Sequence, residues 1–176
     1  MITAAELRKI MPHAGARIGV YLAPLNAAML EFDISNPLRE AAFLAQIAHE
    51  SGELRYVSEI ASGEAYEGRK DLGNDEPGEG AYTKGAGLLQ ATGDANWQAA
   101  GVALHGDRDW YRYNRELLLQ PVDACRVSAW VWKSHGLNEL ADKGDFLRIT
   151  KIINGGTTHY KERLAYYEAA KGVYAA

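Results

Sequence analysis

With Cys125 as its one cysteine, this 176-residue chain can form no internal disulfide, and no cysteine pair exists to close a zinc site. Placed mid-helix, that thiol reads as a small apolar residue. Long apolar runs are missing too: no stretch reaches the roughly 18 residues a membrane-spanning helix requires. At the N-terminus, MITAAELRKIMPHAGAR scatters charge through the stretch where a secretory leader would need an apolar centre, so a cytoplasmic chain is expected. Positive charge is in short supply: Lys and Arg total 19 against 23 for Asp and Glu, giving a net charge of −4 and a pI near 5.7. A nucleic-acid partner calls for a clustered basic surface and is excluded on that basis. There is no repeat, linker or composition break, so a single domain over residues 1–176 is expected. A G-x-S-x-G motif is absent. His13, His105, His135 and His159 stand alone, and Glu53 occupies the position where a metalloprotease helix beginning at His49-Glu50 would need its second histidine, so neither a metal nor a cofactor is expected.

What is present is mainly helical periodicity. Thr3 with Glu6 forms a capping box for a first helix that Pro12 ends. A second helix is expected from about Gly15 or Ala16 to Phe32, kinked or broken at Pro24. Asn36-Pro37 opens a third over Leu38–Ser51, with Gly52 as its stop. Later helices are expected over Leu88–Ala100, Arg115–Lys133, Asp145–Ile153 and His159–Val173. Between Gly63 and Gly87 lie seven glycines and one proline in 25 residues, a composition for a long functional loop or a small hairpin insert.

The third helix carries the chemistry. At about 100° per residue, Ile47 and Phe43 share a face with Glu50, so the Glu50 carboxyl should emerge beside apolar groups that favour its protonated, acid form. An acid so placed is a candidate general acid, and acid–base catalysis would pair it with a second carboxylate. Glu59 lies nine positions on and would face away on a continuous helix, so a break at Gly52 is required to bring it across a groove; Glu64, in SEIASGEAYEGR, is the alternative. Arg69 is a candidate to pair with Glu50 or Glu59. Tyr66, Tyr82 and Trp97 offer flat faces for sugar rings or for the core, and Trp130 and Trp132 divide between core and rim.

AFLAQIAHESG, EAYEGRKDLGN, KGAGLLQATGDANW and KIINGG occur in the order and approximate spacing of glycoside hydrolase family 19, and the chain most resembles the phage or prophage endolysin branch of that family over about residues 38–160. The resemblance implies a single-domain, lysozyme-like, family 19 chitinase-like helical fold with the glycine-rich insert flanking the cleft. It implies Glu50 as acid and Glu59 as base, since wall-lytic members carry an acid at this offset. Thr92 would orient the attacking water, and Gln90, Asn96 and Asn154 would hydrogen-bond the sugar, with Tyr66 and Arg69 beside them. Peptidoglycan glycan is the implied substrate, with chitin the alternative and an inactive saccharide-binding domain the remaining one. A monomer without its own wall-binding module is expected, held in the host cytoplasm until a separate holin-type pore releases it to the wall. One departure stands out: Ala86 lies between two glycines where most relatives carry arginine.

Overall fold

The computed structural model describes residues 1–175. Ten α-helices and three short 3₁₀ turns make up its regular structure: α1 (Ala4–Ile10), α2 (Arg17–Glu31), α3 (Pro37–Glu50), α4 (Glu79–Tyr82), α5 (Asp94–His105), α6 (Trp110–Tyr113), α7 (Pro121–Ser134), α8 (Leu137–Asp142), α9 (Phe146–Asn154) and α10 (Tyr160–Tyr174). The Thr3–Glu6 capping box is present, and Asn36 caps α3 by accepting from Arg39 N–H. In α2 the helix continues through Pro24 without a break. The carbonyl that Pro24 leaves unpaired belongs to Val20, an outward-facing residue, where water can satisfy it.

α3 is buried from Ala41 to Ala48 and forms the axis of the molecule. Its main partner is α10, whose Arg163, Tyr167, Ala170 and Val173 recur at helical spacing on the buried face. The principal core joins α1, α2 and α3 to α7, α8, α9 and α10, with Phe43 edge-on to Trp132 at 5.4 Å. A second cluster gathers Trp97, Tyr111, Leu118 and Val127 where α5 and α6 meet α7. Each large apolar side chain so buried is worth about 1.5–3 kcal/mol.

Two expected helices are shorter than the periodicity suggests. The helix expected over Leu88–Ala100 begins only at Asp94, because residues 86–91 turn back on themselves through an Ala86–Ala91 bridge. The expected Arg115–Lys133 helix divides into a 3₁₀ turn, Arg115–Leu119, and α7. Gln120 between them is extended, the conformation favoured before a proline, and Pro121 opens α7. No named strand occurs among the described residues; the hairpin possibility reduces to isolated bridges from Ala86 to Ser58 and Ala91. The glycine-rich segment is nonetheless tightly held. Buried Asn74 donates to the Tyr66 carbonyl and accepts from Thr83 Oγ1 and Asp94 N–H, while the Glu67 carboxylate accepts from the N–H groups of Gly78 and Gly80.

Candidate active site

Glu50 is the last residue of α3. Its carboxyl is about a quarter exposed, and its neighbour is a guanidinium: Arg163 Nη1 lies 2.5 Å from Glu50 Oε1. Ile47 and Phe43, expected to share its helical face, are both fully buried in the core. Arg163 is itself buried, and the same Nη1 donates to Gln46 Oε1 at 2.6 Å. Gln46 and Glu50, four residues apart, present one face of α3 to this cation. The Gln46 amide completes the chain by donating to Thr150 Oγ1 at 2.9 Å. Preceding Glu50, the half-buried His49 has its pKa depressed, first by burial and next by the Arg163 cation, so the imidazole is neutral near pH 7. Its Nδ1 lies 3.4 Å from Glu162.

Beyond Glu50 the chain reverses. Gly52, Glu53 and Leu54 all take positive φ, at 55°, 56° and 67°. Ser51 closes the turn: its hydroxyl donates to the Ile47 carbonyl and accepts from Leu54 N–H, and its own carbonyl accepts from the N–H groups of Arg55 and Tyr56. The break at Gly52 is therefore present and extends over three residues. Glu59 follows outside any helix, with its N–H on the Gly85 carbonyl at 2.8 Å. Its Oε1 accepts from the Tyr66 hydroxyl at 2.9 Å and its Oε2 from Gly85 N–H at 3.2 Å. Burial, then the bond to Glu59, push the Tyr66 hydroxyl up, so it stays a donor at neutral pH.

Gly85 is the meeting point of the site. A Cβ there would lie 2.9 Å from Gln90 Oε1, 3.0 Å from Gln90 Cβ and 3.2 Å from Thr92 Oγ1, so these two side chains close over the backbone that holds Glu59 with little room for a methyl. Gln90 is held in a left-handed conformation, φ 51°, by the turn between the bridged Ala86 and Ala91. Thr92 Oγ1 donates to the Gln90 carbonyl at 3.3 Å, and Asn96 Nδ2 to the Thr92 carbonyl at 2.6 Å. Gln90, Thr92 and Asn96 line one wall of a pocket of about 260 Å³, with Trp130, Ile152 and Ile153 among its apolar surfaces. Neither Glu50 nor Glu59 lines this pocket; it adjoins Glu59 through the contacts of Gln90 and Thr92 with Gly85.

The remaining expected residues fall in varied places. Arg69 binds neither acid: it forks onto Asp71 at 2.6 and 2.7 Å, because the two lie two residues apart on an exposed 3₁₀ turn where the nearest anion is local. Arg163 takes the part expected of it at Glu50. Trp97 is a core residue, buried, with its indole N–H on the Ala91 carbonyl. Tyr82 is exposed, donating to the Arg112 carbonyl and lying under Arg115. Asn154, at the end of α9, accepts from Thr158 N–H at 3.1 Å. Glu64 is exposed and opens a 3₁₀ turn, without a side-chain bond. Trp132 is core and Trp130 is half-buried at the pocket, the expected division. Ala86 is buried within the bridge, where a small side chain fits.

Arg163 is the functional candidate that sequence reasoning missed. Its signal was available: a lone cation at i, i+4, i+7 and i+10 with Tyr167, Ala170 and Val173, on an apolar stripe where burial demands an anionic partner.

No family model matches the chain. A glycosyl hydrolase family 19 domain-containing protein of Haemophilus influenzae is 27% identical to it, over 96% of this chain and 95% of that protein. Among solved structures, a bacterial family 19 chitinase superposes with a TM-score of 0.78 at 22% identity, covering 99% of this chain and 95% of its own. Chitinase C of Streptomyces griseus gives 0.73 at 22% identity over 99% and 77%, and the class IV chitinase of Zea mays 0.72 at 23% over 99% and 93%. The three superpositions define the fold, that of the family 19 chitinases, and the Haemophilus influenzae protein is similar to this chain along nearly the whole length of both.

Proposed function

We propose that the chain is a lysozyme-type endolysin that hydrolyses glycosidic bonds of bacterial peptidoglycan, with Glu50 as general acid and Glu59 as general base. The observation that carries this is the contrast between two carboxylates joined by one enforced turn. Glu50 is partly open to solvent and anchored through one oxygen, which leaves the other free to meet a glycosidic oxygen. Glu59 accepts a hydrogen bond on each oxygen, the bonding of a base rather than of a proton donor. In the reaction Glu50 protonates the leaving oxygen and Glu59 takes a proton from water, which Thr92 orients; a nucleophile held in place avoids much of the entropy cost of a bimolecular step. Gln90, Asn96 and Asn154 bring amides that suit an N-acetyl group, since each offers both donor and acceptor.

The absence of a disulfide framework favours peptidoglycan as the polymer. Chitin is the second reading, favoured by the fold shared with three proteins described as chitinases. Clearing of a purified peptidoglycan suspension, run beside release of soluble sugar from chitin, separates the two. We expect clearing of peptidoglycan at a rate well above that on chitin. The reverse preference would make the chain a chitinase, and binding of either polymer without cleavage would make it a saccharide-binding domain.

A further inference from the structure

Glu53 plays no part in the chemistry above, yet its carboxylate is buried and fully engaged. Oε2 accepts from His13 N–H at 2.5 Å, while Oε1 accepts from the Tyr166 hydroxyl at 2.9 Å and lies 3.0 Å from His13 Nδ1. Its main-chain carbonyl accepts from Arg17 Nε at 3.2 Å, and Arg17 also donates to the His13 carbonyl. Burial alone would push this carboxyl up, but the hydrogen bonds from His13 and Tyr166 outweigh it and hold Glu53 below the ordinary carboxylate range.

The backbone at this point explains why so many bonds converge there. Glu53 and Leu54 are consecutive residues with side chains at positive φ, a conformation that persists only where the surroundings over-determine it. The turn they form is the one that redirects the chain between Glu50 and Glu59. Leu54 is itself buried, so the turn is fixed from within as well. Only four residues lie between Leu54 and Glu59, and an error in the exit direction is passed along that short stretch. α10 reaches both ends of the turn: Arg163 contacts Glu50, and Tyr166, nearly one helical turn later, contacts Glu53.

We propose that Glu53 is a positioning residue. By tying the turn at residues 52–54 to the His13–Arg17 segment and to α10, it sets where Glu59 stands relative to Glu50. The inference rests on the reading that these two carboxylates carry the reaction. It is tested by steady-state kinetics on whichever of soluble peptidoglycan fragments or chitin oligomers the wild type cleaves. Tyr166→Phe removes one hydroxyl, and Glu53→Gln turns one acceptor oxygen into a donor set against the donors around it. Glu168→Gln, on the exposed face of the same helix, serves as control. For Tyr166→Phe we expect kcat to fall about tenfold with KM changed by less than about twofold, because a displaced catalytic group slows the step without weakening binding. Glu53→Gln should lose at least as much, and Glu168→Gln nothing. Wild-type kcat in a folded Tyr166→Phe protein would overturn the inference, even if Glu53→Gln fails to fold. So would a fall in kcat matched by the loss of folded protein seen in circular dichroism. A wild type inactive on both polymers would remove the hydrolytic reading and the inference with it.

Discussion

Replacing Glu50 by glutamine keeps the shape and one oxygen for Arg163 but removes both the transferable proton and the counter-charge of a buried cation. Two losses are therefore expected together. Turnover should fall by about 10²–10⁴, the usual worth of general acid catalysis. Unfolding free energy should drop by about 1–3 kcal/mol, since a buried charge left without its partner is costly. Glu59→Gln should cost comparable activity with a smaller stability change, because its partners are a hydroxyl and a backbone N–H rather than a buried charge. Glu64→Gln, exposed and without a side-chain bond, should change little. Turbidity assays and denaturant melts on the three variants check the order, and a Glu64→Gln loss exceeding that of Glu59→Gln would transfer the base to Glu64. At this scale the gathering of Glu59, Gln90 and Thr92 around Gly85 follows from motifs that lie close together in sequence. Arg163 was not legible in this way: its partner is 113 positions away by subtraction of the residue numbers, and only the packing of α10 on α3 joins them. Arg69 misled for the opposite reason, since its own anion lay two residues on and no motif announced it.

Among the elements, the helices that bury a strong apolar face were readable to within a few residues: α1, α3, α9 and α10 all lie close to their expected limits. The reading failed where a backbone contact between distant residues decides. Residues 88–93 carry the apolar spacing of a helix start, but the Ala86–Ala91 bridge takes their hydrogen bonds instead. That bridge turns Gln90 and Thr92 over Gly85, so the lost turn of helix is what builds this wall of the site. The consequence is a contrast between two glycines. Gly85→Ala forces its new methyl against the side chains of Gln90 and Thr92 and should destabilise by about 1–3 kcal/mol while displacing both residues, with a fall in activity larger than the stability loss explains. Gly19→Ala, inside α2 with open space around it, should stabilise by about 0.4–1 kcal/mol and leave activity unchanged. Thermal melts and clearing rates on the two variants read both effects, and an active, stable Gly85→Ala would remove the close approach from the account of the site.

For the whole molecule, the packing of α10 bears on how the chain reaches its substrate. No helix of the described residues is long and apolar enough to cross a membrane, and α10 is a long C-terminal helix packed on the core. Its apolar face is already spent on α3 through Tyr167, Ala170 and Val173. Its exposed face carries Lys161 and Glu162, with Glu168 and Lys171 paired at 2.9 Å, so charge of both signs is interspersed rather than biased towards an anionic lipid surface. Insertion of α10 into a bilayer would also pull Arg163 away from Gln46 and Glu50 and Tyr166 away from Glu53. Membrane insertion by this helix and an assembled site therefore exclude each other. Access to the wall is accordingly proposed to depend on a separate pore-forming protein, as expected from the sequence. Added from outside at equal concentration, the protein should lyse Gram-negative cells with a permeabilised outer membrane and act poorly on intact ones. Equal rates on the two preparations would show that the chain crosses a bilayer unaided, and would require α10 to leave α3 or another segment to do the work.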